Sequence, residues 1–404
     1  MPYSFSYISF PDWLVILLGF LMAFVITGFA IPSIVHVSRL KNLCATSNGR
    51  TSHISLIPNL GGIAVFAGFV ISIVVFAGTY FKFELPYIIC SLIIIFFLGI
   101  KDDILIIAPL KKLAGQIIAV TLIAVLADIR ITNFYGLFGI YQIPYIVSIL
   151  FTIFVFLIII NGFNLIDGID GLASGTGVLT SSFFGIWFWM TGNIAYTVFS
   201  FSFAGSLLVF FYFNVFGKKN KLFLGDTGSL VTGFVAGVLA CRFLQLDLYA
   251  KGAAYIESAP AVVFAILVVP IFDTLRVFIL RIVQGKSPFI ADHQHIHHRL
   301  LQLGNTHLQA TLILISVNLI FVALCYLLQG IGIIRLISVM LVLASLMSYL
   351  NVILVKKRTT KVIYSEYPVE GTWISRIKKK GTIGPRHFNN ITLHYPEKVN
   401  TSLK

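Results

Sequence analysis

The sequence predicts an all-α, polytopic integral membrane protein, and its composition and hydropathy pattern support this prediction. Of the 404 residues, 58% are hydrophobic and only 11% are charged, and the mean hydropathy is +0.95. A soluble domain of average composition carries about 25% charged residues. Apolar runs of about 17–25 residues, the length that a helix needs to cross the hydrocarbon core, recur up to about residue 355. Soluble globular folds are therefore excluded.

Eleven apolar runs give the positions of about eleven predicted transmembrane helices. They lie near residues 13–37, 60–80, 86–100, 113–129, 143–162, 172–190, 194–213, 228–244, 258–283, 308–328 and 332–355. The first run is too long for the apolar part of a cleavable signal and its basic flank follows it, so we expect it to be the first span. We expect residues 1–355 to form the membrane domain and residues 356–404 a basic cytoplasmic tail.

The distribution of Lys and Arg predicts the orientation of the chain. Three basic residues lie in each of the loops after the first, third and seventh spans, and eleven more lie in the tail. Because basic residues are enriched in cytoplasmic loops, we expect a periplasmic N-terminus, and cytoplasmic odd-numbered loops and C-terminus. The net charge of +14 is dispersed over these loops and the tail. This pattern favours contact with anionic membrane lipid and gives no support to nucleic-acid binding.

Acidic residues are concentrated on the same side of the membrane. Twelve Asp or Glu residues precede the tail, and seven of them lie in or beside the predicted cytoplasmic loops. These seven are Asp102, Asp103, Asp167, Asp170, Asp226, Asp273 and Asp292. Orientation by basic residues does not require carboxylates there. The cytoplasmic face is therefore the predicted site of chemistry.

The segment GIKDDIL places Asp102 and Asp103 directly after an apolar span. Adjacent carboxylates at a helix end can hold a divalent cation beside a phosphate, or one of them can act as a general base. Lys111 and Lys112 follow at the start of the next helix. They are either anchors at the membrane surface or cations for a phosphate group.

The segment NGFNLIDGIDGLASG lies between the fifth and sixth spans and contains Asn161, Asn164, Asp167 and Asp170. Asp-Gly turns expose backbone N–H groups and let the main chain approach a ligand closely. The alternative is a tight turn whose Asp residues cap the next helix. A turn alone does not need two Asn, two Asp and three Gly within eleven residues, 161–171, so the segment is a candidate binding site.

The segment NKLFLGDTGSL places Asp226 between Gly225 and Thr227, at the predicted start of the eighth span. A helix N-terminus flanked by glycines favours phosphate. A single carboxylate at this position is ordinarily a helix cap. Because other carboxylates lie on the same side of the membrane, Asp226 is also a candidate metal ligand.

The ninth span and the loop after it combine charged and histidine residues. Pro270 predicts a kink, and Asp273 and Arg276 are spaced i, i+3 on one helix face, close enough to pair. Such a pair at membrane depth is either functional or a structural lock on the kink. Four of the nine histidines lie within residues 293–298. A Zn²⁺ site is possible from His295 with His298 at i, i+3 or from His293 with His297 at i, i+4, although Asp292 is the only further ligand nearby.

Together these segments supply carboxylates that bind Mg²⁺, cationic residues that bind diphosphate, and a membrane that holds a lipid. The combination indicates phosphoryl transfer at the bilayer surface. A secondary transporter is the alternative from another class. Transporters place ionisable residues near the bilayer midplane and often have repeated halves, whereas nearly all ionisable residues here lie at one face and no repeat is visible.

Five motifs carry a resemblance to a known family: RTSHISLIPNLGG, KDDIL, NLIDGIDGLASG, NKLFLGDTGSL and SPFIADHQHIHHRL. In order and spacing they resemble the signature loops of the polyprenyl-phosphate N-acetylhexosamine-1-phosphate transferases. The histidine loop is more similar to the undecaprenyl-phosphate GlcNAc-1-phosphate transferase branch than to the phospho-MurNAc-pentapeptide branch. The resemblance implies a multi-span helical protein of the cell inner membrane with a cytoplasmic active site, which transfers HexNAc-1-phosphate from a UDP-HexNAc to undecaprenyl phosphate, releases UMP and requires Mg²⁺ or Mn²⁺.

The resemblance also implies roles for individual residues. Asp226 matches the metal-binding aspartate, Asp102 the proposed base, and Asp103 the second acid of the pair, which makes these three the candidate catalytic residues. The candidate substrate-binding residues are Arg50, His53, Lys112, Gln116, Asn164, Asp167, Asp170, Asn214, His295, His297, His298 and Arg299. Some members of this branch carry a further acid where this chain has Ile106.

The sequence leaves the sugar donor open. UDP-GlcNAc is the donor that the histidine loop favours, and the alternatives are other UDP-HexNAc donors or the phospho-MurNAc-pentapeptide nucleotide. Either reaction would begin a cell-envelope polysaccharide such as O-antigen or capsule. A homodimer is compatible with the resemblance.

Overall fold

The computed structural model describes residues 10–41, 43–46, 56–105, 107–285 and 295–366. Within these residues the protein is helical apart from two short antiparallel hairpins. This confirms the predicted all-α class. The hairpins pair β1 (Cys44–Thr46) with β2 (Leu56–Pro58), and β3 (Asn133–Leu137) with β4 (Ile140–Gln142).

Thirteen α-helices lie in the described part of the chain. They are α1 (Asp12–Leu40), α2 (Gly61–Phe76), α3 (Glu84–Leu105), α4 (Pro109–Leu126), α5 (Tyr145–Ile166), α6 (Leu172–Met190), α7 (Ile194–Phe216), α8 (Gly225–Asp247), α9 (Ala259–Ile266), α10 (Val268–Val283), α11 (Ile296–Gln302), α12 (His307–Leu328) and α13 (Ile333–Glu366).

Each of the eleven predicted segments coincides with a helix, and the ninth coincides with the broken pair α9 and α10. By length and apolar composition, seven of the described helices can cross a membrane, or eight if the broken pair forms one span. The seven lie in α1, α4, α5, α7, α8, α12 and α13. The protein is thus a multi-pass membrane protein with seven or eight candidate spans, and the figure of eleven stays a prediction.

The two central helices are α7 and α8. Their apolar segments are 78% and 83% buried, compared with 28–39% for the other five candidate spans. Helices α1, α2 and α6 pack on α7, and α3, α5, α2 and α6 pack on α8. Small residues at the contacts between membrane helices let the helix backbones approach each other closely. The core therefore surrounds the helix that begins beside Asp226.

Helices α3 and α8 are antiparallel and contact each other at both ends. At one end Glu84 of α3 forms an ion pair with Arg242 of α8, whose guanidinium lies 5.1 Å from the centroid of the Tyr196 ring. At the other end Asp103 of α3 accepts hydrogen bonds from the first residues of α8. About 28 Å of helix separates Glu84 from Asp103 at 1.5 Å per residue.

The kink predicted from Pro270 is a break of 81° between α9 and α10. The break lies at Leu267, just before the proline. A proline ring clashes with the carbonyl four residues earlier and lacks an N–H, which accounts for the end of α9 at Ile266. The Asn318 side chain on α12 accepts a hydrogen bond from Val269 N at 3.3 Å. The break directs α10 toward the predicted site residues of the histidine loop.

The chain divides into two compact units, residues 1–352 and 353–404. The first contains every element up to the greater part of α13. The described residues of the second are the remainder of that helix, to Glu366. The division into a membrane domain, residues 1–355, and a tail with a separate role, residues 356–404, stays a prediction.

Candidate active site

A single ammonium group joins three of the predicted loops. Lys112 at the start of α4 places its Nζ atom 2.7 Å from Asp102 Oδ2 and 2.7 Å from Asp226 Oδ1. The same Nζ donates to Asn164 Oδ1 at 3.2 Å. The Asn164 amide also donates to Asp226 and to Ser229 Oγ. Four polar side chains from α3, α4, α5 and α8 thus meet in one cluster, which we call the lysine cluster.

The two adjacent carboxylates Asp102 and Asp103 point to different partners. Asp102 contacts Lys112 and also accepts from the backbone N–H of Ile107 at 2.7 Å. Asp103 accepts from the N–H groups of Asp226 and Thr227 at 2.8 and 2.9 Å, and from the Thr227 hydroxyl. Asp103 therefore caps α8 from another helix and fixes the backbone that carries Asp226.

The Asp226 loop is held against the segment before α2 by backbone hydrogen bonds. Phe223 N donates to Pro58 O at 2.7 Å, Gly61 N donates to Phe223 O at 3.0 Å, and Gly62 N donates to Leu224 O at 2.9 Å. Gly225 has a φ of +73°, and a Cβ atom there would lie 2.0 Å from Asn59 O. Only glycine fits this conformation and this approach.

The Asp-Gly segment forms the turn between α5 and α6. Gly171, with a φ of +80°, precedes α6, and no side chain caps that helix, so the alternative of Asp caps does not hold. Burial, and then the carboxylates of Asp226, Asp103 and Asp170, raise the pKa of Asp167 well above its ordinary value of 3.8. The turn thus brings Asp167 into the electrostatic field of the lysine cluster.

Asp170 lies in an ion-pair network at the same turn. Its Oδ2 atom is 2.7 Å from Lys221 Nζ and 3.3 Å from His307 Nδ1. Burial opposes ionisation, but the contacts with His307 and Lys221 outweigh it and hold the pKa of Asp170 below 3.8. Its backbone carbonyl accepts from Thr311 Oγ1 at 2.8 Å. Asp170 therefore connects the turn to α12 and to the loop before α8.

Two predicted substrate-binding residues have their amides engaged within the protein. Gln116 is fully buried and exchanges hydrogen bonds with Asn161 on α5. Asn214 accepts from Gly171 N at 2.6 Å and donates to Leu222 O at 2.8 Å. Asn214 thus supports the backbone of the Asp-Gly turn, and Gln116 holds the Asn161 side chain. Any contact of either amide with a substrate stays a prediction.

The histidine residues lie at the start of α11. His295 Nδ1 is 2.9 Å from Asp273 Oδ2, and Asp273 also pairs with Arg276 at 2.8 Å, as the i, i+3 spacing predicted. The His297 ring is stacked on that of His295 with centroids 5.7 Å apart, and lies 4.2 Å from that of His298. A Cβ atom on Gly168 would be 2.6 Å from His297 Nε2. The histidines thus face the Asp-Gly turn.

His297 is 2% exposed, and within the described ranges neither of its ring nitrogens has a hydrogen-bond partner. Burial, followed by the charge of His298, lowers the pKa of His297 to about 3 from its ordinary value of 6.5. The folded protein therefore holds a neutral imidazole at neutral pH.

A stability prediction follows from the pKa of His297. Between about pH 3 and pH 6.5 the unfolded chain binds a proton at this residue and the folded chain does not, so the folded state loses stability as the pH falls. The loss approaches about 1.4 kcal/mol per pH unit well below pH 6.5. We expect the melting temperature of the wild type to fall more than that of His297→Asn between pH 7 and pH 5. Parallel curves for the two proteins would contradict the prediction.

The structure brings most, though not all, of the predicted residues together. Lys112 contacts Asp102, Asn164 and Asp226. Asp103 holds the backbone of Asp226, and Asp167 lies nearby. Arg50 and His53 lie outside the described residues. Four partners were not predicted: Asn59, Ser229, Lys221 and His307. Asn59, Lys221 and Ser229 stand inside the quoted motifs, whereas His307 has no signal in the sequence.

The lysine cluster contains two carboxylates, which are the type of side chain that binds Mg²⁺. Within the described part of the chain, no three His, Cys, Asp or Glu side chains are placed to hold a metal ion together. Mg²⁺, however, is commonly held by one or two carboxylates with water and substrate phosphates. Asp102 and Asp226 each have an oxygen 2.7 Å from the same ammonium, so two carboxylates already converge on one positive charge.

The fold and the lysine cluster define a class: a multi-pass helical membrane protein with a site of carboxylates, an amide and a lysine at the ends of its helices. The profile of glycosyl transferase family 4 matches residues 85–244, which include α3 to α8 and every member of the lysine cluster. The chain belongs to glycosyl transferase family 4.

Named relatives agree with this assignment. The chain is 30% identical over 275 residues to the probable undecaprenyl-phosphate N-acetylglucosaminyl 1-phosphate transferase of Bacillus subtilis strain 168, covering 68% of this chain and 74% of the relative. It is 28% identical over 279 residues to the undecaprenyl-phosphate alpha-N-acetylglucosaminyl 1-phosphate transferase of Escherichia coli K12, covering 68% and 73%. The protein of that name from Yersinia pestis is 27% identical over 265 residues, covering 65% and 70%. The family resemblance of the five motifs is confirmed.

Proposed function

We propose that this protein transfers GlcNAc-1-phosphate from UDP-GlcNAc to undecaprenyl phosphate. The products are UMP and undecaprenyl-diphosphate-GlcNAc, the first membrane-bound intermediate of a cell-envelope polysaccharide such as O-antigen or capsule. The lysine cluster carries the proposal, because Lys112 contacts Asp102, Asn164 and Asp226 at the ends of helices in a multi-pass membrane protein. The names of the relatives support the same donor and acceptor.

In the proposed reaction an oxygen of the lipid phosphate attacks the β-phosphorus of the UDP-sugar. A new P–O bond joins the two phosphates, the bond between the β-phosphorus and the bridging oxygen breaks, and UMP leaves with that oxygen. Both reactants are anions, so the barrier falls mainly through charge neutralisation and in-line positioning. The ammonium of Lys112 supplies positive charge between the carboxylates.

Other residues have proposed roles around this cluster. Asp102 takes the role of base toward the lipid phosphate, and Asp103 keeps Asp226 in place through the start of α8. His297, with two unpartnered nitrogens within the described residues, hydrogen-bonds the donor diphosphate, together with His298 and Arg299 on the same helix. The Asp-Gly turn, opposite His297, receives the nucleotide.

Mg²⁺, or Mn²⁺ in its place, is the proposed cofactor. Asp226 would hold the ion, with Asp102 and Asn164 beside it, and the ion would withdraw charge from the diphosphate as a Lewis acid. Lys112 and the histidine loop contribute the remaining positive charge and hydrogen-bond donors.

The proposed setting is the cell inner membrane. Eleven spans with a periplasmic N-terminus put the lysine cluster, the Asp-Gly turn and the histidine loop on the cytoplasmic side, where UDP-sugars are made. The excess of Lys and Arg in the odd-numbered loops supports this orientation. In this arrangement residues 1–355 carry the transferase, and the basic residues 356–404 lie near anionic lipid.

One assay tests the reaction and the donor together. Purified protein is incubated with undecaprenyl phosphate, Mg²⁺ and, in separate reactions, UDP-GlcNAc, UDP-GalNAc, other UDP-HexNAc donors and UDP-MurNAc-pentapeptide, and UMP is measured. We expect UMP from UDP-GlcNAc and a product that contains both phosphates. If only another donor yields UMP, that donor replaces UDP-GlcNAc in the proposal. If no donor yields UMP, the proposed transferase activity is refuted.

A further inference from the structure

Asp273 has three partners at the junction of α10 and α11. This residue on α10 is 2% exposed. Its carboxylate accepts from Arg276 at 2.8 Å, contacts His295 Nδ1 at 2.9 Å, and accepts from the backbone N–H of Ile296 at 3.3 Å to each oxygen. A buried carboxylate is tolerated only when it is paired and hydrogen-bonded, and these contacts meet that requirement.

Two of these contacts belong to the histidine loop. Helix α11 begins at Ile296 and has no side-chain cap from its own N-cap residue, His295. The first N–H groups of a helix need acceptors, and Asp273 supplies one from a different helix. The carboxylate therefore fixes where α11 begins, one residue before His297.

The contact with His295 also fixes the position of a proton. A carboxylate accepts but does not donate, so Nδ1 of His295 carries a proton, and Nε2 faces away from Asp273. The His295 ring is stacked on that of His297, with an angle of 5° between the planes. The orientation of the first ring therefore limits that of the second, which faces Gly168 of the Asp-Gly turn.

We infer that Asp273 is a positioning residue for sugar-nucleotide binding, acting through His295 and the start of α11 on His297. This inference rests on the proposed function, because it takes the histidine loop to bind the donor diphosphate. The pair with Arg276 thereby gains a second role, since the carboxylate that neutralises the arginine also orients the histidines.

The test replaces Asp273 with Asn, which keeps the size of the side chain and removes its charge. We expect the KM for UDP-GlcNAc to rise at least about tenfold, the lower end of the effect seen when carboxylates that orient metal-bound histidines are removed. The KM for undecaprenyl phosphate should stay within about twofold. The loss in Asp273→Asn combined with His295→Ala should be smaller than the sum of the two single losses, because both substitutions break the same contact.

A matched control separates positioning from stability. Glu84→Gln makes the same chemical change in another buried ion pair, at the far end of α3 from the lysine cluster. Its KM for UDP-GlcNAc should stay at the wild-type value even if its melting temperature falls. If both KM values rise equally in Asp273→Asn, Asp273 has only a structural role in its ion pair. The same conclusion follows if Arg276→Gln raises the KM for UDP-GlcNAc as much as Asp273→Asn does.

A second measurement does not depend on activity. Hydrogen–deuterium exchange of the detergent-solubilised protein should be faster in residues 296–302 of Asp273→Asn, and unchanged there in Glu84→Gln. If Asp273→Asn does not fold, His295→Gln breaks the same contact from the loop side. Unchanged exchange in α11 refutes the positioning role whether or not transfer is observed, whereas a wild type that releases no UMP refutes the proposed function.

Discussion

Replacing Asp226 with Asn is expected to lower the rate of UMP release by at least about a thousandfold, or about 4 kcal/mol of transition-state stabilisation. The substitution keeps the size of the side chain but removes the charge that faces Lys112 at 2.7 Å and that would hold the divalent cation. Excess Mg²⁺ should not restore the rate. The measurement is UMP release with undecaprenyl phosphate and UDP-GlcNAc over a range of Mg²⁺ concentrations.

The matched control for Asp226 is Asp247, the last residue of the same helix. Its carboxylate is fully buried and accepts from Ile256 N at 3.0 Å, at the opposite end of α8. Asp247→Asn should keep most of the activity. A rate close to wild type for Asp226→Asn would remove this residue from the catalytic centre.

Replacing Lys112 with Met is expected to lower turnover by about a hundredfold to a thousandfold. The ammonium is the positive charge between Asp102 and Asp226, and the methionine leaves these carboxylates facing each other without it. Breaking a buried ion pair from one side costs about 3–5 kcal/mol, and the 14% exposure of Lys112 reduces this through solvent screening. We therefore expect a lower melting temperature as well as slower UMP release.

Lys111 provides the control for Lys112, because it is the adjacent residue, has the same side chain and is exposed. Lys111→Met should change neither the melting temperature nor the rate by more than about twofold. If the two methionine variants behave alike, the effect reports charge at the membrane surface and not the lysine cluster.

Much of this arrangement could be predicted from the sequence, because apolar length and local spacing carry it. Each apolar run coincides with a helix, Asp226 stands at a helix start, and Asp273 pairs with Arg276 at i, i+3. Pro270 predicted the helix break, although the angle of 81° between α9 and α10 did not follow from the sequence. These features depend on neighbours within a few residues.

The contacts that build the site could not be predicted, because they join distant segments. Lys112 and Asp226 are 114 residues apart, and Asp103 holds the backbone of Asp226 from 123 residues away. The motif suggested that Asp102 and Asp103 act together as a pair, whereas Asp102 faces the lysine and Asp103 faces the start of α8. Helix packing decided this, and a KDD motif alone carries no information on which way each carboxylate points.

The antiparallel contact between α3 and α8 bears on how the site responds to bilayers of different thickness. Glu84 is tied to Arg242 at one end of the two helices, and Asp103 is tied to Thr227 at the other. When a bilayer thins or thickens, a single helix responds by tilting or sliding past its neighbour. If α3 spans the bilayer as the sequence predicts, we expect the two ties to make α3 and α8 tilt together, which would keep the distance between Asp103 and Asp226 constant when the bilayer thickness changes.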